Sequence, residues 1–256
     1  MRFEPMIQAR INSFKTIHAF QGIQEDKLFE LFVNHTILQS HQADMGDNED
    51  VLLDECSVGG ANDMGIDGIA IKVNGFFVST IKEIDEIIEL NKQISIEFIF
   101  VQSKNKDKLD SGEFGKFADG IIDFLSDHHI EPHNEKIDSL LQLKDYLFSD
   151  KIILRWKTNP SIRIYYVILG QWREDEHILA KKEKLLADIS GLHSYSDSYI
   201  SFIDSTLLQK FCEENENSYS VVLTAIDNFG LPEVSGVDNS LVCTISCFRT
   251  HKNDHL

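Results

Sequence analysis

The chain has 256 residues, of which 42% are hydrophobic and 26% are charged. This is the composition of a folded globular protein with one large domain, or with one domain plus a fragment. No apolar run approaches the roughly 20 residues that a membrane span needs, and the N-terminus lacks the basic and apolar blocks of a signal peptide. We therefore expect a cytoplasmic protein with no membrane partner.

Acidic residues outnumber basic residues by 42 to 24, which gives a formal net charge of −18. This charge opposes non-specific attraction to a polyanion. Carboxylates are also ligands of divalent cations, and part of the excess can serve that purpose. The four cysteines are too few and too scattered for a disulfide framework, and no second pair completes a zinc site with the last two: Cys56, Cys212, Cys243 and Cys247.

Two helices are predicted at the start of the chain. Residues 4–20 carry apolar side chains every three or four positions, and Gly22 ends this helix. Residues 24–40 form the second helix, in which Glu30 shares a stripe with Val33 and Ile37. The pattern places a carboxylate beside apolar side chains, and its simplest interpretation is a boundary residue whose charge reaches water.

Residues 42–55 are rich in acid and contain no lysine or arginine. A run of this kind is typical of a solvated loop, and here it leads into a strand predicted at residues 51–54. A later strand, predicted at residues 66–73, carries Asp67, which is a candidate metal ligand. Asp54 can contribute to the same metal site only if the strand at 51–54 lies beside that later strand.

The central stretch, residues 59–104, has the most informative pattern. A glycine-rich turn at 59–65 leads into an apolar strand at 66–73 that begins with Asp67, and a strand at 96–101 runs directly into Gln102, Ser103 and Lys104. Side chains alternate along a strand, so all of these polar groups except Ser103 belong to apolar faces. Antiparallel pairing would bring Asp67, Gln102 and Lys104 to one edge of the sheet. The helix predicted at 81–92 equally permits a parallel crossover.

The remainder of the chain alternates helices with strands. A polar loop after Lys104 carries Lys106 and Lys108, which can contact phosphates, although its mixed charges favour a solvated loop. His128, His129 and His133 lie beside Pro132, and this favours a surface loop over a zinc site. Helices are predicted at 113–127, 134–148, 175–188 and 205–215, and strands at 161–169 and 199–203. This order predicts an α/β sheet.

The central motif resembles a known family. Two peptides carry the likeness: Gly65-Ile66-Asp67-Gly68-Ile69 and Val101-Gln102-Ser103-Lys104. They resemble the Mrr-like branch of the PD-(D/E)xK restriction-endonuclease superfamily, in which Gln replaces the usual second acid. More narrowly, the stretch is similar to the N-terminal nuclease domain of AIPR proteins, the abortive-infection phage-resistance family. Residues 202–204 with their following helix, and residues 231–237, share a more diffuse similarity.

This resemblance implies a restriction-endonuclease-like core, with a mixed central sheet flanked by helices. It implies a nuclease-like domain over residues 1–215 and the start of a second, truncated AIPR domain over residues 216–256. The implied activity is metal-dependent hydrolysis of phosphodiesters in phage defence, with DNA expected ahead of RNA as the substrate. A two-fold homodimer would serve to cut both strands of a duplex.

The resemblance also assigns roles to individual residues. Asp67, Gln102, Lys104 and Glu30 are the implied catalytic residues. Mg²⁺ or Mn²⁺ would be held by Asp67, Gln102, Glu30 and the backbone carbonyl of Ser103. Gln102 offers a neutral oxygen, which binds a hard cation more weakly than a carboxylate does.

Two other functions agree with the same residues. The first is a non-catalytic module that binds nucleic acid or protein in a defence system, in which the Gln and the acidity reflect lost cleavage. The second is a metal-dependent hydrolase of small phosphoesters, which suits an acidic surface better.

Overall fold

The computed structural model describes residues 4–42, 49–173, 175–217, 225–230 and 241–245. The chain divides into two compact units, Met1–Ser218 and Tyr219–Leu256. The second unit contains an antiparallel pair of strands, β6 (Ala225–Gly230) and β7 (Leu241–Ile245). Residues 231–237 and Cys247, which carry two of the sequence interpretations, lie outside the described residues.

The first unit is built on a five-stranded mixed sheet. Its strands, rich in β-branched and aromatic residues, are β1 (Gly68–Val73), β2 (Phe76–Val78), β3 (Ile96–Lys104), β4 (Ser161–Ile168) and β5 (Ser198–Ile203). The spatial order is β2-β1-β3-β4-β5. Strand β1 is antiparallel to both of its neighbours, whereas β3, β4 and β5 are parallel to one another.

Helices cover both faces of this sheet, because side chains alternate along each strand and bury an apolar set on either side. One face packs against α1 (Pro5–Ile17), α2 (Glu25–His41), α3 (Glu49–Cys56) and α9 (Ser205–Asn217). The other packs against α4 (Ile81–Leu90), α5 (Ser111–Leu125), α6 (Glu135–Leu147), α7 (Asp150–Ile153) and α8 (Glu176–Gly191). The prediction of an α/β fold with a mixed sheet flanked by helices is confirmed.

The pairing of β1 with β3 decides where the polar ends of the two strands lie. Gly68 pairs with Val101 and Val73 pairs with Ile96, so the strands are antiparallel. The chain reverses after β1 through Asn74 and Gly75, both with positive φ, and α4 then returns it to the start of β3. The start of β1 therefore lies beside the end of β3.

The strand predicted at residues 51–54 is wrong, because this segment belongs to α3. Leu53 and Cys56, three residues apart, are buried on one side of the helix. Asp54 points outward with a side chain that is 77% exposed, and it pairs with Lys136. Asp54 is therefore not part of the site around Asp67.

The end of α1 also differs from the prediction. The helix ends at Ile17, and Ala19 has a φ of 53°, so the chain leaves the helix before Gly22. In the described part of the chain, no helix is long and apolar enough to cross a membrane.

Candidate functional site

Asp67 is held in place mainly by its backbone. Its N–H donates to the Val101 carbonyl at 3.0 Å, which continues the ladder between β1 and β3. Its carbonyl oxygen accepts three hydrogen bonds, from the N–H groups of Val58 (3.0 Å) and Gly59 (3.2 Å) and from Asn34 Nδ2 (3.0 Å). The side chain consequently has a fixed starting point at the edge of the sheet.

The Asp67 carboxylate is buried, with 3% of the residue exposed. Its Oδ2 accepts hydrogen bonds from Ser103 N (2.7 Å), Ser103 Oγ (2.9 Å) and Gln102 Nε2 (3.1 Å). Among the described residues, Oδ1 accepts none. One carboxylate oxygen thus fixes the group to the end of β3, and the other stays uncommitted.

Burial and the nearby Glu30 carboxylate raise the pKa of Asp67 to about 6, although Lys104 and the hydrogen bonds from Ser103 oppose this shift. The buried charge is only partly compensated by the protein. A cation at this position would favour the ionised form.

The Gln102 amide presents its nitrogen to Asp67 and leaves Oε1 buried, with no hydrogen-bond donor among the residues that the structure describes. An unsatisfied buried acceptor costs about 1–3 kcal/mol. The backbone carbonyl of Ser103 lies on the same side, since it accepts from Gln102 Nε2 at 3.3 Å. Two neutral oxygens therefore accompany the carboxylate at the end of β3.

Lys104 is the last residue of β3 and is partly exposed. Within the described chain its ammonium forms no hydrogen bond or ion pair, yet it is close enough to lower the pKa of Asp67. It is thus a cation beside the carboxylate with free hydrogen-bonding capacity.

Glu30 reaches the site from α2. Its Oε2 accepts from Lys27 Nζ at 2.8 Å, and Lys27 also donates to the Gly59 carbonyl at 2.9 Å. Glu30 is close enough to Asp67 to raise its pKa, and a Cβ on Gly59 would lie 3.0 Å from Glu30 Oε2 and 3.4 Å from the Asp67 Cα. Glu30 therefore lies near Asp67, with its Oε2 bound to Lys27 and its side chain partly exposed.

The structure therefore brings together Asp67, Gln102, Ser103, Lys104 and Glu30. It also adds residues that the sequence analysis missed. Asn34 is buried and links the Asp67 carbonyl to Ser57 Oγ, and Lys27 binds Glu30. A signal existed for both, because Lys27, Glu30 and Asn34 recur at three and four residues and so lie on one side of α2.

Two further polar groups near the site had no signal in the sequence. Tyr166 is the register partner of Gln102 on β4, and in the described part of the chain its buried hydroxyl has no hydrogen-bond partner. Burial, with the charges of Glu113 and Asp67, raises the pKa of Tyr166. Glu113 Oε2 is likewise buried and unsatisfied, while its other oxygen binds Lys106. Lys106 is therefore engaged, unlike Lys104.

The end of β4 borders a cleft of about 510 Å³. Ile168, the register partner of Lys104, lines it together with Lys108, Trp172 and Arg173. The cleft thus opens at the same edge of the sheet as the Asp67 site. Its lining includes two cations, one aromatic ring and two aspartates, Asp107 and Asp175.

The other histidines and cysteines named from the sequence lie elsewhere. His129 binds the Asp123 carbonyl and His133 binds Asp138, both in the loop after α5. Cys56 and Cys212 are buried free thiols, and burial raises the pKa of each. The prediction that the 128–133 region is a loop is confirmed.

Comparisons of the chain with protein-family models, with curated proteins and with solved structures give no match. The fold and the site define an α/β domain with a buried carboxylate, an amide and a lysine at one edge of a mixed sheet.

Proposed function

We propose that this chain is a metal-dependent nuclease that hydrolyses phosphodiester bonds of DNA, or of RNA. The observation that carries the proposal is the contact between the ends of β1 and β3: Asp67 lies within hydrogen-bonding distance of Gln102 and Ser103, with Lys104 adjacent. We further propose that the domain has a restriction-endonuclease-like core of the Mrr-like type, and that it is an AIPR protein acting in phage defence.

The donor set suits Mg²⁺ or Mn²⁺. Asp67, Glu30, the Gln102 amide oxygen and the Ser103 carbonyl are hard oxygen donors, which these cations prefer. The uncommitted Oδ1 of Asp67 and the unsatisfied Oε1 of Gln102 are the observations that favour a cation here. When bound, the ion would supply a water of lowered pKa and neutralise charge that develops on the phosphate.

The residues of the chain would supply the other contributions, which are charge stabilisation and the orientation of the reacting groups. Lys104 would place a positive charge against the developing negative charge of the phosphate or orient the attacking water. The hydrogen bonds from Ser103 hold the Asp67 carboxylate in one orientation, so no reorganisation is needed during the reaction.

The cleft at the end of β4 suits a nucleic-acid strand. Lys108 and Arg173 would contact phosphates, and Trp172, one face of which stacks on Phe202, would offer its other face to a base. These contacts are local, and they would have to overcome the repulsion from a chain with a net charge of −18.

One set of incubations tests the proposal. Purified chain should cut plasmid, linear DNA or RNA with Mn²⁺ or Mg²⁺ and should not cut in EDTA. Asp67→Ala should weaken metal binding, whereas Lys104→Ala should leave metal binding largely intact and slow cleavage by about 10²-fold or more. Lys92→Ala, which changes an exposed lysine in the loop after α4, is the matched control. Undiminished cleavage in EDTA, or in both site variants, would refute the proposal.

A non-catalytic module that binds nucleic acid is the second candidate. The observation that favours it is the burial of Asp67, whose Oδ2 already accepts three hydrogen bonds from the protein. Binding to nucleic acid in EDTA, without cleavage in any metal, would support the module. Turnover of a small phosphodiester but not of DNA or RNA would instead indicate a small-molecule hydrolase.

A further inference from the structure

A second cluster of ligand-type side chains lies away from Asp67, where α1, α2 and α3 meet. His18 follows the end of α1, His35 belongs to α2, and Glu49 and Asp50 open α3. One ligand atom from each of His18, His35 and Glu49 lies within 4.8 Å of the others. Three segments that are distant in sequence therefore place two imidazoles and a carboxylate around one point.

The contacts within this cluster join each imidazole to a carboxylate. His35 Nε2 forms a hydrogen bond with Glu49 Oε1, and His18 Nδ1 lies 2.5 Å from Asp50 Oδ1. The centroids of the two imidazole rings are 5.1 Å apart, and the ring planes meet at 68°. Ligand atoms around a tetrahedral zinc ion lie about 3.3–3.5 Å apart, for bonds of about 2.0–2.1 Å. Small side-chain rotations would bring the cluster to that size, by opening the two close histidine–carboxylate contacts and shortening the wider separations.

The surroundings of the cluster suit a bound cation. Phe14 packs against both rings, at centroid distances of 4.5 Å from His18 and 5.1 Å from His35, so the imidazoles have one apolar wall. Their side chains are only 8% and 13% exposed, whereas Asp50 is 75% exposed and leaves the opposite side open to solvent. An apolar wall with an open polar side is a common setting for a metal ligand set.

The charge of the cluster is also unbalanced. Within the described residues, neither Glu49 nor Asp50 forms an ion pair with a lysine or an arginine. With neutral imidazoles the four side chains carry two negative charges, which a dication would neutralise. Two imidazole nitrogens favour zinc and related transition metals over Mg²⁺.

We propose that His18, His35 and Glu49, with Asp50 as the fourth ligand, form a binding site for Zn²⁺ or a similar transition-metal ion. The ion would fasten the end of α1 and the start of α3 to α2. This site is independent of the Asp67 site, because it uses other residues and a different ligand chemistry. Its function is structural, since it joins three helices.

Zinc titration of the metal-free chain against a chromogenic chelator tests this site. We expect stoichiometric binding at micromolar zinc, and more than about 10-fold weaker binding in both His35→Ala and Glu49→Gln. His128→Ala, which changes an exposed histidine outside the cluster, should bind like the parent. The titrations are repeated in chains that also carry Asp67→Ala, and the zinc affinities should follow the same pattern. This result would place the zinc at the junction of α1, α2 and α3, whether or not the chain is a nuclease.

Thermal unfolding gives a second reading of the same site. Zinc at 100 times its Kd should raise the Tm of the parent by about 5–10 °C, and it should not raise that of Glu49→Gln. Unfolding in EDTA shows whether each variant still folds. Binding weaker than about 100 µM in the parent, or equal binding in the cluster variants and the parent, would overturn the proposal. In that case the contacts are ordinary pairs of histidine with carboxylate.

Discussion

Asp67 combines two requirements that oppose each other. A ligand for a cation must be ionised, yet burial in the protein and the proximity of Glu30 favour the protonated form. Ser103 and Lys104 offset only part of this effect, since the pKa of Asp67 remains raised to about 6. In the metal-free protein, the ionised form of the Asp67 carboxylate is therefore energetically unfavourable at neutral pH.

Replacing Asp67 with Asn should stabilise the metal-free protein at pH 8. The pKa of Asp67 is higher in the folded chain than the ordinary aspartate value of 3.8, so its stabilising contribution is present below about pH 4 and is lost as the pH rises through about 6. An amide oxygen can accept the hydrogen bonds from Ser103 without a charge. Denaturation in EDTA should show a gain of about 1–3 kcal/mol at pH 8, and little gain at pH 4.

Asp119→Asn, which changes an exposed aspartate on α5, serves as the control and should leave the stability nearly unchanged at both pH values. A lower stability of Asp67→Asn at pH 8 would contradict this account. It would mean that the hydrogen bonds to the charged carboxylate outweigh the effect of its burial.

Metal binding at Asp67 should weaken as the pH falls through about 6. A proton and a cation compete for the same carboxylate, so the affinity for Mn²⁺ should drop about 10-fold per pH unit below the pKa. Titration of Mn²⁺ between pH 5 and pH 8 measures this slope. Asp67→Asn should have weak binding with no such slope, and a flat profile in the parent would exclude Asp67 as a ligand.

At the scale of elements, the junction of α2 with β1 positions the site. Asn34 lies so close to Gly68 that a Cβ on this glycine would fall 2.6 Å from Asn34 Oδ1. The same amide holds the Asp67 carbonyl, so any displacement of Asn34 is passed to the residue that carries the carboxylate. The close approach of the Asn34 side chain to the backbone explains why position 68 is a glycine, whereas its backbone conformation does not require one.

Gly68→Ala should therefore destabilise the protein by about 1–3 kcal/mol and reduce metal binding at Asp67. Gly191→Ala, at the end of α8, is a matched control, because a Cβ there meets nothing within 4 Å. Chemical denaturation and Mn²⁺ titration of the two variants measure the difference. Equal stability of both variants would show that Asn34 moves aside without cost.

Some elements could be predicted from sequence because the evidence for them is local. Apolar spacing alone indicated α2, α5 and α8, and β-branched runs indicated β3 and β4. The hairpin between β1 and β2 is also encoded locally, since Asn74-Gly75 is a strong turn signal. The prediction of a loop and a strand was wrong for α3. The acidic composition of this segment is typical of a loop, and it outweighed the helical spacing of Leu53 and Cys56.

The candidate site was only partly predictable. The sequence motif singles out Asp67, Gln102 and Lys104. It does not determine whether β1 and β3 are parallel or antiparallel, because a helix such as α4 between them permits either pairing. Tyr166 could not be found, since its proximity to Gln102 depends on the register of β3 against β4. Contacts of this kind arise from packing between distant segments, and a single sequence does not record them.

At the scale of the whole molecule, the geometry of a duplex constrains how the chain would cut it. One site cuts one strand, and a net charge of −18 disfavours extended contact with both backbones. A two-fold dimer would place two sites on the two antiparallel strands.

We therefore expect double-strand breaks to require two copies of the chain. Sedimentation should detect a dimer on duplex DNA, and the yield of linear plasmid should rise more steeply than in proportion to protein concentration. A mixture with the inactive Lys104→Ala chain should convert linear product to nicked product. A monomer that makes double-strand breaks in single hits would contradict this expectation.

The three hydrogen bonds to the Asp67 carbonyl also provide a reporter of the integrity of the site. The amide protons of Val58 and Gly59 are held by this oxygen, so their exchange with deuterated solvent requires the glycine-rich turn to separate from the start of β1. Exchange at these two amides, followed residue by residue, distinguishes a variant that lacks only a catalytic side chain from one in which the structure of the site is disrupted. A Lys104→Ala chain with parental protection at Val58 and Gly59 retains the geometry.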